Sequence, residues 1–347
     1  MVNGSARPPR VPFAAGRPLR RVKIASLATY VPPRVLTNKD LEEMVETSDE
    51  WILQRTGIRE RHIVDAGVAT SDLGAAAART ALERAGVSPE DVELIVVGTT
   101  TPDTVFPSTA CRVQHKIGAS RAWGFDLHAA CSGFTFSLAT AAQMVASGAH
   151  DCALVIGADV MSSIIDYTDR TTCVLFGDGA GAVVLTPSER DDTGVLDFEH
   201  QVDGSGGDAL CMPAGGSLRP ASFETVEKRL HYVKQDGQVV FKFAVKNTED
   251  ICRRILEKNG LTGADVDLFV SHQANRRIIE SAAQRLGMDQ NKVIINIERF
   301  GNTTAGTIPL ALQDALDEGR LKKGDLVLLA SVGAGFTVGS VLLRWAY

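Results

Sequence analysis

The chain has 347 residues, 44% of them hydrophobic, with 36 Lys and Arg against 42 Asp and Glu, a net charge of −6. That length and apolar content can bury about three quarters of the unfolded surface in a core, and the mild negative charge gives no general attraction to nucleic acid or anionic membrane. No apolar run is long enough to span a bilayer, and Cys111, Cys131, Cys152, Cys173, Cys211 and Cys252 show no C-x-x-C spacing, so they read as reduced thiols of a cytoplasmic protein, without a disulfide frame or a zinc site.

Residues 1–21 carry Arg7, Arg10, Arg17, Arg20 and Arg21 with four prolines and no acid. They read as a flexible extension; an organelle transit peptide would need more Ser and a proline-free amphipathic helix. The first plausible strand begins at Val22. Thr47-Ser48-Asp49-Glu50-Trp51 reads as the capped start of a surface helix with an exposed aromatic. Ser71 to Ala85 has helical spacing, and Glu93 to Gly98 is an apolar run of buried-strand length. A second strand, Trp123 to Leu127, leads through Ala-Ala-Cys131-Ser-Gly-Phe into a small-residue helix, Ser132 to Ala146. A thiol at that junction meets the positive end of a helix dipole, which favours the nucleophilic thiolate, and its own backbone N–H can hold an oxyanion. A Cys in an Ala-rich segment is also an ordinary small buried hydrophobe, so Cys131 alone decides nothing.

Further along, Ala153 to Gly157 and Ala182 to Leu185 are strand-like. The turn between them, Gly177-Asp178-Gly179-Ala180-Gly181, resembles a nucleotide-binding loop, but a strand comes next where a dinucleotide fold needs a helix. Residues 186–238 break the rhythm with Gly204, Gly206, Gly207, Gly215, Gly216, Pro213 and Pro220, and are expected to form a loop excursion over the active site. Glu249 to Lys258 has helical spacing, and Asp267 to Ser271 is a strand that delivers His272 at its carboxyl end, where open α/β sheets keep their chemistry. Such a His can equally cap the next helix. The strand-like run Lys292 to Ile297 precedes Gly301-Asn302-Thr303, and the strands Leu326 to Ala330 and Gly339 to Arg344 flank the turn Gly333 to Gly339. Strands alternating with helices predict parallel sheets covered on both faces.

Residues 81–98 match residues 255–272 without a gap at an offset of 174: Leu82, Glu83, Gly86, Asp91, Leu94 and Val96 recur as Leu256, Glu257, Gly260, Asp265, Leu268 and Val270. The same offset sets Cys131 on Ala305, and Asn302 opposite His128. Two copies are too few for a solenoid. They predict two α/β halves about a pseudo-twofold axis, spanning residues 22–190 and 191–347, with Cys131 from the first meeting His272 and Asn302 from the second.

The motifs Ala-Ala-Cys-Ser-Gly-Phe, His-Gln-Ala-Asn-x-Arg-Ile and Gly-Asn-Thr-x-Ala, in this order on a duplicated frame, resemble the β-ketoacyl-acyl carrier protein synthase III branch of the thiolase-like condensing enzymes. The resemblance runs from about Val22 to Tyr347 and takes in Arg55-Thr56-Gly57-Ile58-Arg59. It implies a duplicated five-layered αβαβα fold and a cytoplasmic homodimer that starts fatty acid synthesis from acyl-CoA and malonyl-acyl carrier protein. Cys131, His272 and Asn302 would be catalytic, and the N–H groups of Cys131 and Ala334 would form the oxyanion hole. Coenzyme A would be held by Trp51 and Arg170 sandwiching the adenine, with Thr47 and Arg55 nearby. Phe106 would cross the dimer interface to close the partner's acyl pocket. Arg277, supported by Arg276, would dock the acidic carrier protein. No metal and no redox cofactor is implied.

Asn302 separates the site from the Cys-His-His of elongating synthases and the Cys-His-Cys of thiolases. One departure is Val332, where the family often has an aromatic before the last Gly-x-Gly turn. Two other readings stay open. A specialised relative could use the same site for an acyl transfer of secondary metabolism. A cysteine hydrolase also carries Cys, His and Asn in this order, but has no reason for two matching halves.

Overall fold

The structure, a computed structural model, describes residues 19–347. In chain order its main elements are β1 (Val22–Tyr30), α1 (Asp49–Thr56), α2 (Thr70–Ala85), β2 (Leu94–Gly98), α3 (Thr109–Ile117), β3 (Trp123–Leu127), α4 (Gly133–Ala146), β4 (Ala153–Asp159) and β5 (Gly179–Pro187), then β6 (Gly194–Val202), α5 (Gly237–Lys258), β7 (Leu268–Ser271), α6 (Arg276–Arg285), α7 (Thr307–Asp317), β8 (Leu326–Gly333) and β9 (Thr337–Arg344).

One sheet has the order β1-β5-β4-β2-β3 and the other β6-β9-β8-β7, with Val293 bridging Phe269 in parallel on the far side of β7. The two orders correspond strand for strand. In each, the first three strands pair antiparallel, each with the next, and the remaining pairings are parallel. The sheets are therefore mixed, not parallel as the alternation predicts. The turn of residues 334–336 is too short for a crossover and allows only an antiparallel return from β8 to β9.

Alternation along the strands sorts the side chains into layers. Leu94 and Val96 of β2, with Leu268 and Val270 of β7, face a shared central core that contains Phe134 and Leu138 of α4 and Ile308 and Leu312 of α7. Ile95 and Val97 face outward onto α2 and α3 through Leu73, Ala77 and Val113. Phe269 faces outward onto α5 and α6 through Ile251, Ile255 and Ile279. The result is five layers: helices, sheet, the central α4 and α7, sheet, helices. Among the described residues no helix is long and apolar enough to cross a membrane.

The stretch expected as a loop excursion is partly ordered into the second sheet. β6 pairs with β9 at the sheet's edge, and its mostly half-buried sequence, with Asp197, Glu199 and Gln201 along it, hides the strand from a hydrophobicity reading. The helix expected from Glu249 begins at Gly237, where the Asp236 side chain accepts from the N–H groups of Gln238 and Val239. The strand-like run from Lys292 contributes the single bridge at Val293 and then turns into the short helix Ile297–Phe300. A fourth apolar cluster, including Leu41, Ile52, Val174, Phe176 and Val233, packs the connecting segments together. Of the predicted extension, residues 1–18 lie outside the described residues. Arg20 and Arg21 belong to the body: Arg20 bonds Asp151 at 2.7 Å and the His150 carbonyl at 2.7 Å, and Arg21 bonds the Asp191 carbonyl at 2.8 Å.

Candidate active site

Cys131 sits in a single 3-10 turn, Ala130–Ser132, between β3 and α4. Ala130 is turned into the left-handed region at φ 49°, which swings the chain sharply from sheet to helix. Glycines make the junction possible. A Cβ at Gly98 would lie 2.6 Å from the Gly133 carbonyl oxygen, and one at Gly333 would lie 2.7 Å from the Cys131 nitrogen, so α4 and the β8–β9 turn both approach at backbone contact. Burial, reinforced by the Asp159 charge, pushes the Cys131 thiol up to about 12. The expected thiolate is thus corrected to a neutral thiol, because desolvation outweighs the backbone N–H at the turn.

His272 comes directly after β7, and its N–H bonds the Ala330 carbonyl at 2.7 Å, fixing the ring's origin on the sheet. Its Nδ1 lies 2.7 Å from the Thr307 hydroxyl. Its Nε2 is buried with no partner among the described residues, which points to a ligand group as its complement. Burial pushes the imidazole down to about 3, so it is neutral. Asn302 is presented after Gly301, at φ 61°, and its Oδ1 accepts from the Thr304 N–H at 2.9 Å. That bond orients the amide so that Nδ2 remains as a donor. Cys131, His272 and Asn302 line one cavity of ≈ 960 Å³ together with Trp51, Arg55, Arg277, Val332, Gly333 and Phe336.

The remaining sequence-predicted residues fall into two groups, those at this cavity and those away from it. Trp51 and Arg55 line it, and the Arg170 guanidinium already stacks on the Trp51 ring at 4.8 Å from its centroid while donating to the Glu46 carbonyl at 2.8 Å. An adenine between them requires Arg170 to lift. The Thr47 hydroxyl is buried without a partner among the described residues. Ala334 comes after the lining residue Gly333, and its carbonyl accepts from Thr337 at 3.3 Å. Arg277 lies at the lining with its guanidinium 5.1 Å from the Phe241 ring centroid. Arg276 is engaged otherwise, 3.7 Å from the Glu298 carboxylate and packed against Gly57. Phe106 is 83% exposed, next to an equally exposed Val105, and does not line the cavity of its own chain.

Two contributors escaped the sequence reading. Asp159, at the end of β4, is wholly buried. Its Oδ1 accepts from the Thr99 hydroxyl (3.0 Å), the Thr100 N–H (2.7 Å) and hydroxyl (3.0 Å), and the Thr101 N–H (3.1 Å) and hydroxyl (2.8 Å). Its Oδ2 accepts from the Thr304 hydroxyl and the Ala305 N–H. The run Thr99-Thr100-Thr101 after a buried strand was the available signal. Asn275, which donates to the Arg55 carbonyl at 2.8 Å, ties the start of α6 to the segment carrying Trp51.

Residues 125–204 match the family model described as 3-oxoacyl-[acyl-carrier-protein] synthase III, and residues 256–345 match that family's C-terminal model. Proteins named β-ketoacyl-[acyl-carrier-protein] synthase III are 62% identical in Koribacter versatilis (95% of this chain, 99% of that one) and 58% identical in Solibacter usitatus (94% and 99%). The crystal structure of the Aquifex aeolicus 3-oxoacyl-[acyl-carrier-protein] synthase III superimposes with a TM-score of 0.87 at 44% identity, covering 93% of this chain and all of that one. A priming β-ketosynthase of a polyketide pathway superimposes with a TM-score of 0.89 at 35% identity, covering 96% and 99%. This chain, an acyl-transferring condensing enzyme with the thiolase-like fold, belongs to the β-ketoacyl-[acyl-carrier-protein] synthase III family.

Proposed function

We propose that the chain joins a short acyl-CoA to malonyl-acyl carrier protein by decarboxylative Claisen condensation, giving the 3-oxoacyl-carrier protein that begins fatty acid synthesis. The observation carrying this reading is the convergence of a buried thiol with two oriented donors, the unpartnered Nε2 of His272 and the Nδ2 of Asn302. In the first step Cys131 Sγ bonds the thioester carbonyl carbon, and its proton passes to the sulfur of the departing coenzyme A. The N–H groups of Cys131 and Ala334 hold the tetrahedral oxyanion, and coenzyme A departs as the thiol as the old C–S bond breaks. In the second step the malonyl thioester oxygen accepts from His272 and Asn302. Carbon dioxide leaves, its bonding pair becomes an enolate held by those two donors, and the enolate carbon attacks the acyl carbonyl. The Cys131 sulfur leaves as thiolate and takes up a proton from solvent. A neutral imidazole suits this donor role, since no proton need be exchanged.

Trp51, Arg170, Thr47 and Arg55 are assigned to coenzyme A, and Arg277 at the cavity lining to the acidic carrier protein; no metal or redox cofactor enters either step. A homodimer in the cytoplasm is the assembly proposed. Exposed Val105 and Phe106 and the half-exposed Trp123 on the edge strand β3 supply an apolar rim for it, and light scattering should give twice the 37.0 kDa chain mass.

The experiment is intact-protein mass spectrometry with a panel of acyl-CoAs, run beside carbon dioxide release from malonyl-carrier protein. Cys131→Ala should take up no acyl group. His272→Ala and Asn302→Ala should still acylate but lose condensation by roughly 10²- to 10³-fold. Arg277→Glu should raise the KM for malonyl-carrier protein and leave acylation near wild type. An acylation-dead His272→Ala beside a wild-type Asn302→Ala would make His272 a base for the thiol and sink the donor assignment.

A further inference from the structure

Resting on the donor role proposed above for His272, we infer that the Thr307 hydroxyl fixes His272 in the tautomer that carries its proton on Nε2, making Thr307 a positioning residue for the condensation step. The two atoms are 2.7 Å apart, and Thr307 has a single proton to give. Its alternative acceptor is the Thr304 carbonyl at 3.1 Å, the back-bond open to a hydroxyl in the first turn of a helix. Both contacts lie within hydrogen-bond range, and one proton can serve only one of them. The buried Nε2, unpartnered among the described residues, decides between them: a donor there requires Nδ1 to be the acceptor, so Thr307 gives its proton to the imidazole and not to the Thr304 carbonyl. With Nδ1 an acceptor, the neutral ring must carry its proton on Nε2. The opposite assignment would aim a bare lone pair at the oxygen where the enolate charge gathers.

The placement leaves the ring little choice. Thr307 is the first residue of α7, directly after the 3-10 turn Thr304–Gly306, and is buried. The same turn orients the other donor, since the Thr304 N–H bonds the Asn302 Oδ1. One turn thus sets the polarity of both: a backbone N–H occupies the acceptor end of the amide, and a hydroxyl occupies the acceptor nitrogen of the imidazole.

The test uses the full-length enzyme with ¹⁵N-labelled histidine, the His272 signals being assigned by their loss in His272→Ala. Long-range ¹H–¹⁵N correlation in the wild type should find the proton on Nε2. Thr307→Val, which keeps the shape and removes the hydroxyl, should lose the single Nε2–H form and lower condensation kcat roughly ten- to hundredfold, with acyl-Cys131 formation from acyl-CoA at the wild-type rate. Thr307→Ser should restore both tautomer and rate. A wild-type proton on Nδ1 overturns the inference. So does a Thr307→Val enzyme that condenses normally, or one that loses acylation and condensation equally, which would mark Thr307 as merely structural. If Thr307→Val does not fold, the wild-type tautomer and the Thr307→Ser comparison decide. A wild-type enzyme that takes up no acyl group would instead sink the condensing reading and leave the tautomer measurement standing.

Discussion

The two halves of the molecule make the same sharp turn twice. Ala130 and Thr304, 174 residues apart, both have φ 49°, and each opens a 3-10 turn that runs into a central helix. The next residue differs: Cys131 in the first turn, Ala305 in the second. The supports differ as well. The first turn is held by neutral hydroxyl bonds, from Thr337 to the Ala129 carbonyl at 2.8 Å and from Ser132 to the Thr337 carbonyl at 3.2 Å, and by the close approach of Gly333. The second is pinned by the Asp159 carboxylate, which reaches across from the first half. The lightly held turn carries the nucleophile, and the firmly held one carries no reactive atom but orients Asn302 and His272. Donors that act by fixed geometry gain from rigidity, since preorganised dipoles need not reorient as charge develops. A nucleophile has to move toward its acyl carbon and back.

This contrast is most exposed at Asp159. Asp159→Ala would remove a carboxylate that accepts seven hydrogen bonds in a dry interior, from Thr99, Thr100, Thr101, Thr304 and Ala305. We expect a loss of about 3–5 kcal/mol, read as a lower midpoint in urea denaturation. Asp159→Asn keeps an oxygen acceptor and should lose less. If Asp159→Ala shifts the midpoint by no more than an ordinary surface substitution, the second turn is not pinned by this carboxylate.

A smaller effect bears on the nucleophile. Because burial and the Asp159 charge push the Cys131 thiol up to about 12, its thiolate fraction stays far below one at neutral pH and grows tenfold per pH unit. Alkylation of Cys131 by iodoacetamide, followed on its own peptide to separate it from exposed Cys111, should accelerate about a hundredfold from pH 7 to 9 without levelling. Asp159→Asn removes the carboxylate charge, so it should lower the thiol's pKa and speed alkylation at fixed pH. A plateau below pH 8 would mean that the helix start has won over burial.

Much of this architecture was legible in the residues. The offset of 174 falls on real equivalences: Leu94 and Leu268 begin matching strands, and Gly86 and Gly260 end matching helices in the left-handed region. The order of Cys131, His272 and Asn302 was readable because each comes after a strand-like run. Features that depend on a partner distant in sequence stayed hidden. β6 is a polar-looking edge strand whose strand partner is β9. The front of α5, Gly237-Gln238-Val239-Val240-Phe241, is rich in residues that favour strands, and it becomes helical through its Asp236 cap and tertiary packing. The thiol's ionisation is not legible in the residues, because a helix dipole can be read from local sequence and desolvation cannot. Asp159 lies 145 residues from Thr304 and 60 from Thr99, so no local pattern could declare the bonds.

The finest test removes the shortest of the hydroxyl bonds that hold the first turn. Thr337 is a strand residue, so Thr337→Val preserves shape and strand preference while deleting the hydroxyl that holds the Ala129 carbonyl. The lost bond is worth about 0.5–1.5 kcal/mol, a modest drop beside that of Asp159→Ala. Its location matters more than its size. The Thr337 hydroxyl reaches the Ala129 and Ala334 carbonyls, on the side of Cys131, and bonds none of His272, Asn302, Thr304 or Thr307. Self-acylation should therefore slow about threefold to tenfold. Decarboxylation of malonyl-carrier protein, which calls on the second turn, should stay near wild type. Equal slowing of both steps would show that the two turns are one mechanical unit across the pseudo-twofold axis, and that the contrast in their supports has no counterpart in the chemistry.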